Sequence, residues 1–150
     1  MLSRTLFNRS IFSQRMLSVR QFSAAIQEGQ QLPSAIAAVV SFGEGGFSNE
    51  QVDIAEYVKN KKVVIVGYPG AFTPTCMADH VPDFIEKAEA IKAAGCDEIL
   101  ALSVNDPFVV TAFAEKLGGK QLVNYIADGN GELTKALGMA MDLSVAQLGD

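Results

Sequence analysis

The sequence predicts an α/β domain in which a central sheet is flanked by helices. Short apolar runs rich in β-branched residues, at 63–68, 99–104 and 122–127, alternate with segments of helical spacing, and Gly and Pro punctuate the joins. The chain is also of suitable size: 150 residues with 49% apolar and 19% charged content suffice for one domain with a true core.

The elements follow in order. Within the mixed, Gly-rich stretch 28–53, Ala35 to Phe42 reads as a strand and Gly43-Glu44-Gly45-Gly46 as a hairpin turn, because GEGG lacks the GxGxxG spacing of a dinucleotide-binding turn. Asn49 to Asn60, with weak helical spacing through Val52, Ala55 and Tyr57, reads as a short helix or loop. Val63-Val64-Ile65-Val66-Gly67-Tyr68 has the unbroken character of a strand buried on both faces and predicts the central strand. Thr73 to Ala94 predicts a helix closed by Gly95, and Ile99 to Val104 a second apolar strand, which together make a βαβ unit. A helix from Pro107 to Leu117 ends at Gly118-Gly119; a strand at Leu122 to Ala127 and a turn at Asp128-Gly129-Asn130-Gly131 lead into a short last helix. Every hydrophobic run falls short of the roughly 18 uninterrupted apolar residues of a membrane span.

Charge is unevenly distributed. Arg4, Arg9, Arg15 and Arg20 are the only arginines, and the first acid is Glu28. The Ser- and Arg-rich, acid-free N-terminus has the composition of an organellar transit peptide, with Leu2, Leu6 and Phe7 spaced along an amphipathic helix. Residues 1–22 therefore read as a mitochondrial address, cut after Phe22 in the pattern Arg20-Gln21-Phe22-Ser23, with a plastid address or a plain basic arm as alternatives. Residues 23–150 form the body. It keeps eight lysines against seventeen acids, a formal charge of −9, so neither nucleic acid nor a membrane surface is an expected partner.

Cys76 and Cys96 are too few for a disulfide framework, and with His80 as the only histidine they make a poor zinc site. No metal or other cofactor is expected, whereas a redox thiol is. The chemistry centres on Pro69-Gly70-Ala71-Phe72-Thr73-Pro74-Thr75-Cys76, which reads as a helix N-terminus with Thr73 as N-cap and Pro74 at the first helical position. Cys76 then falls at the third, where unpaired N–H groups and the positive end of the helix dipole favour a thiolate, the nucleophilic form of cysteine. His80, four residues on, shares that helix face; a packing role is the simpler reading and a base the alternative. Cys96 follows the helix-ending Gly95, where a small half-buried thiol is ordinary.

PGAFTPTC resembles the P-x-x-x-T-x-x-C pattern of the peroxiredoxins, in the form seen in their type II, peroxiredoxin-5-like branch. Cys76 to Phe84, Ser103-Val104-Asn105-Asp106-Pro107-Phe108 and Asp128 to Leu143 are also similar to that branch, from about Ile26 onward. The resemblance implies a thioredoxin-like fold and a peroxidase that reduces hydrogen peroxide and alkyl hydroperoxides through a sulfenic acid at Cys76. It further implies that Thr73 orients peroxide and thiolate and that Pro69 shields the sulfenate; Pro69-Gly70 itself reads as a rigid turn that lets the loop pass close to the site, with Gly70 a substrate-binding candidate and a plain strand-ending turn the alternative. Glutathione with glutaredoxin, or thioredoxin, would be the reductant, in a homodimer. Cys96 as a resolving thiol is a further reading, although the resolving position of plant relatives aligns nearer Ala101.

One feature departs from the family, whose active site also uses an arginine from a later strand, whereas no arginine follows Arg20. The pattern that introduces it begins at Gln147-Leu148-Gly149-Asp150, so the chain reads as truncated before its last strands. A phosphatase is unlike this sequence because Pro82 stands where an arginine is needed, and a disulfide reductase is unlike it because Thr73 replaces the first cysteine of C-x-x-C. The remaining alternative is a non-enzymatic thiol module that senses oxidation or binds a partner.

Overall fold

The computed structural model describes residues 24–118 and 122–148; the segment read as a transit peptide lies outside them. A five-stranded sheet in the order β2-β1-β5-β4-β3 is sandwiched between helices. Strands β1 (Ile36–Gly43) and β2 (Gly46–Asp53) form an antiparallel hairpin in full register from Ile36↔Asp53 to Gly43↔Gly46. The predicted GEGG turn is thus a two-residue loop, Glu44-Gly45, with Gly46 at a φ of 99° that suits glycine. Phe42 and Phe47 face each other across it, with rings edge-on at 5.1 Å.

The expectation for 49–60 needs correction. Asn49 to Asp53 belongs to β2, and the helix is a single turn, α1 (Ile54–Tyr57). Eight paired positions outweigh a weak helical period, and Asp53 marks the change by accepting from the N–H groups of Ala55 (2.9 Å) and Glu56 (3.3 Å).

Strands β3 (Val63–Gly67), β4 (Glu98–Ser103) and β5 (Val123–Ala127) run parallel, while β1 pairs antiparallel with β5. The predicted βαβ unit is present: β3 leads through helix α2 (Val81–Ala93) into its neighbour β4. Its first strand, however, is not central. Among the described residues β3 is the edge of the sheet and its side chains are half-buried, whereas Ile99 to Ser103 of β4 are all buried. A β-branched run reports a strand, not its place in the sheet.

Helices α2 and α3 (Pro107–Leu117) cover one face over a core that includes Val40, Ala101, Phe113 and Tyr125. Helix α1 and α4 (Glu132–Ala136) cover the other over Val39, Leu100, Leu102 and Ile126. Helix α3 has the predicted bounds, with Asp106 as N-cap, Pro107 at its first position and Gly118 left-handed at its end. Among the described residues no helix is long and apolar enough to cross a membrane.

Candidate active site

The motif occupies the connection between β3 and α2, beyond the C-terminal ends of the parallel strands, where open α/β sheets bind ligands. Tyr68 continues β3 by donating its N–H to Leu102 O at 2.9 Å. Pro69 is exposed, Gly70 buried, and the chain turns through Phe72 at a φ of 62°, a left-handed conformation that a bulky residue rarely adopts.

The helix begins at Pro74, as the sequence predicts, but not through the predicted cap. Thr73 Oγ1 donates to Gly70 O at 2.9 Å instead of accepting from the first helical N–H groups, while its carbonyl accepts from Met77 N–H at 2.9 Å. The hydroxyl is thereby held toward Gly70 O, one turn back, rather than over the first helical N–H groups.

Cys76 opens a π-helical turn, Cys76–His80, that runs straight into α2. Val81 N–H reaches back five residues to the Cys76 carbonyl. Pro82 follows and has no N–H to return to Ala78 O, so the ladder is already broken there and a widened turn costs less than it would elsewhere.

The Cys76 side chain is 3% exposed, in the apolar cluster that also holds Tyr68, Val81 and Phe113. The Tyr68 ring stacks on Phe113 at 5.4 Å, and Phe72 meets Phe113 edge-on at the same distance. The hydroxyls of Tyr68, Ser103 and Tyr125 are buried in this cluster without hydrogen-bond partners. Burial pushes the Tyr68 hydroxyl up to about 12, the field of the Cys76 sulfur adds to the push, and nearby Ser103 opposes it even though no hydrogen bond of ordinary geometry joins the two. The thiol thus sits among aromatic side chains, one helical turn on from the Pro69–Thr73 loop.

Of the sequence-predicted site residues, the structure brings Pro69, Gly70, Thr73 and Cys76 into one turn of chain. His80 is half-buried with its ring edge-on to Phe84 at 6.0 Å, which matches the packing role. Cys96 is elsewhere. Its Sγ donates to Glu98 O at 3.0 Å just before β4 begins, at the opposite end of the parallel strands from Cys76. A five-residue strand separates the two ends by on the order of 16 Å, against the roughly 7 Å Cα limit for a disulfide. Both thiols are free. An apolar cavity of about 410 Å³ lies on the α4 side, lined by Ile65, Leu102, Leu137 and Met139 and also by Tyr68, Pro69 and Ser103; Cys76 does not line it.

Sequence reasoning missed Tyr68 and Asn105. Asn105 Oδ1 accepts from Ala71 N–H at 2.8 Å across 34 residues, and the only available sign of it was its place in the segment 103–108 that resembles known relatives. Among the described residues no cluster of His, Cys, Asp and Glu has the makings of a metal site.

A mixed α/β sheet that presents a buried cysteine on the first turn of the helix after β3 defines a thiol-dependent redox protein of thioredoxin-like architecture. The chain matches the Redoxin family over residues 27–148. It is 45% identical over 126 residues to Peroxiredoxin-2C of Oryza sativa, covering 84% of this chain and 76% of that one. To the mitochondrial Peroxiredoxin-2F of Arabidopsis thaliana it is 40% identical over 139 residues, 89% of this chain and 69% of that one. The crystal structure of reduced Prx3 from Vibrio vulnificus in complex with hydrogen peroxide superposes with a TM-score of 0.67 at 38% identity, over 79% of this chain and 72% of that one. The chain belongs to the peroxiredoxins, in their type II branch, and is a thiol-dependent peroxidase. Nothing in these likenesses supports the non-enzymatic module.

Proposed function

We propose that Cys76 is the peroxidatic thiol, reducing hydrogen peroxide and alkyl hydroperoxides. The observation that carries this reading is the placement of a buried sulfur in the first helical turn, with the Thr73 hydroxyl held one turn before it. The Cys76 thiolate attacks one peroxide oxygen; an S–O bond forms as the O–O bond breaks, sulfur is oxidised by two electrons, and the departing alkoxide or hydroxide takes up a proton to leave as alcohol or water. Thr73 orients the peroxide, Pro69 limits access to the sulfenic acid, and Gly70 contributes through its carbonyl, which fixes Thr73. An external thiol, glutathione with glutaredoxin or thioredoxin, then attacks the sulfenic sulfur and releases water, and a second thiol frees Cys76 from the mixed disulfide. Cys96, at the far end of the strands, takes no part, and the working form is a homodimer.

The test compares Cys76→Ser and Cys96→Ser for peroxide consumption with each reductant and for sulfenic-acid trapping by a dimedone-type probe. Cys76→Ser loses both signals and Cys96→Ser keeps both. Trapping that persists in Cys76→Ser would sink the assignment.

We further propose that residues 1–22 direct mitochondrial import, on the strength of their arginine-rich, acid-free composition and of a mitochondrial relative. A fluorescent protein fused behind residues 1–30 should enter mitochondria; plastid or uniform cytosolic fluorescence would overturn this.

A further inference from the structure

We infer that Asn105 is a positioning residue for the peroxidase reaction, which sets the direction of the Thr73 hydroxyl through a single peptide plane. The inference rests on the Cys76 reading above. The peptide unit joining Gly70 to Ala71 is held on both sides: its N–H donates to Asn105 Oδ1 at 2.8 Å, and its C=O accepts from Thr73 Oγ1 at 2.9 Å. Neither assignment is ambiguous, because a backbone N–H can only donate and a carbonyl oxygen can only accept. Thr73 therefore spends its one hydroxyl proton on Gly70 O. Its lone pairs are left to accept from the O–H of a hydroperoxide, so the substrate is met by an acceptor at Thr73 and by the nucleophilic sulfur one helical turn on.

The peptide plane needs such an anchor. It precedes Phe72, whose φ of 62° is unfavourable for a bulky residue, and Pro69 before it is exposed. Asn105 is itself well fixed. It sits between β4 and α3, where Asp106 accepts from the N–H groups of Phe108 (2.9 Å) and Val109 (3.0 Å). Asp128 N–H donates to Ser103 O at 3.0 Å, and Gly129 lies beside the Asn105–Asp106 backbone, where a Cβ would make ordinary contact with Asn105 O at 3.6 Å. The two hydrogen bonds share one amide and polarise it in the same sense, so each strengthens the other.

The experiment measures two second-order rate constants at Cys76, sulfenylation by hydrogen peroxide and alkylation by iodoacetamide, because only the first uses the Thr73 acceptor. Asn105→Leu should lower the peroxide rate by about tenfold, equivalent to 1.36 kcal/mol, and leave alkylation within about twofold. Asn105→Asp, which keeps an acceptor oxygen in place, should stay within about threefold of the native peroxide rate. In a Thr73→Val background the Asn105→Leu change should cost less than about twofold more, since the hydroxyl it positions is already gone. The inference is overturned if Asn105→Leu reacts with peroxide at the native rate, if alkylation falls by the same factor, or if the full tenfold loss recurs without the Thr73 hydroxyl. Should Asn105→Leu not fold, Asn105→Ser carries the same comparison. Peroxide reactivity that survives in Cys76→Ser would remove the underlying assignment instead, whatever the Asn105 variants do.

Discussion

At the scale of single residues, Phe72 carries the conformational cost of the site. A left-handed backbone costs a residue with a Cβ about 1–2 kcal/mol, and the edge-on contact of its ring with Phe113 returns about 0.5–1.5 kcal/mol. The near balance means that the loop holds its shape through its tethers: Asn105 on Ala71, and Gly70 on Thr73. Cys76, 3% exposed, begins the helix that the same loop leads into, so its setting depends on those tethers. Spacing in the sequence makes Pro69, Thr73 and Cys76 legible as a unit, since a Pro-initiated helix after an apolar strand fixes their order in space. It cannot reveal Asn105, because that contact spans 34 residues and follows from strand register. It also misdirects on Thr73: residue type names a helix cap, and only the geometry of the turn shows that Gly70 O receives the proton instead.

At the scale of elements, the end of the sheet opposite Cys76 is held by one carboxylate. Glu98, the first residue of β4, accepts from Tyr57 Oη at 2.6 Å, Asn124 Nδ2 at 2.7 Å and Lys61 Nζ at 3.0 Å, so it joins α1, β5 and the approach to β3. Burial alone would raise its pKa, but the hydrogen bonds from Tyr57, Asn124 and Lys61, with the lysine's charge, outweigh it and hold the carboxyl below its usual range. A depressed folded pKa contributes stability that is present above the unfolded value, about 4.3, and is lost as pH falls through the folded one. Glu98→Gln should accordingly cost about 1–3 kcal/mol near neutrality, and the gap to the native chain should close in acid. Denaturant midpoints of both proteins at neutral and acid pH read this directly, and a gap independent of pH would refute it. None of this network is visible to periodicity, which finds the strands but not which polar residues meet at their ends. The same limit explains the error over β3: an apolar run identifies the element, while sheet order depends on pairings far apart in sequence.

At the scale of the whole molecule, the alternation of strands and helices made the α/β class legible, and turn chemistry placed the hairpin's first strand and turn, and α3, close to their observed bounds. The division of the core into two faces was not legible, nor was the clustering of aromatic residues on one of them. All three tyrosines of the chain are held in their neutral form, Tyr68 and Tyr125 within that cluster and Tyr57 on the opposite face against Glu98. Burial is the largest cause each time. It pushes Tyr68 up to about 12, raises Tyr57 together with the hydrogen bond and charge of Glu98, and raises Tyr125 together with the nearby Tyr68. A raised folded pKa contributes stability that is fully present below the unfolded value, about 10, and is lost as pH climbs past it toward the folded value. Alkaline titration should therefore leave phenolate absorbance flat through the pH range in which free tyrosine ionises. The phenolate signal of Tyr68 and Tyr125 should then rise together with the loss of the helical circular-dichroism signal, because ionising them and opening the aromatic face are one event; Tyr57→Phe takes the half-buried ring on the other face out of the measurement. In denaturant all three should titrate near about 10. A phenolate step at that pH in Tyr57→Phe with the helices intact would show that Tyr68 or Tyr125 is open to water, and would contradict their packing around Phe113 on the side of the sheet that holds Cys76.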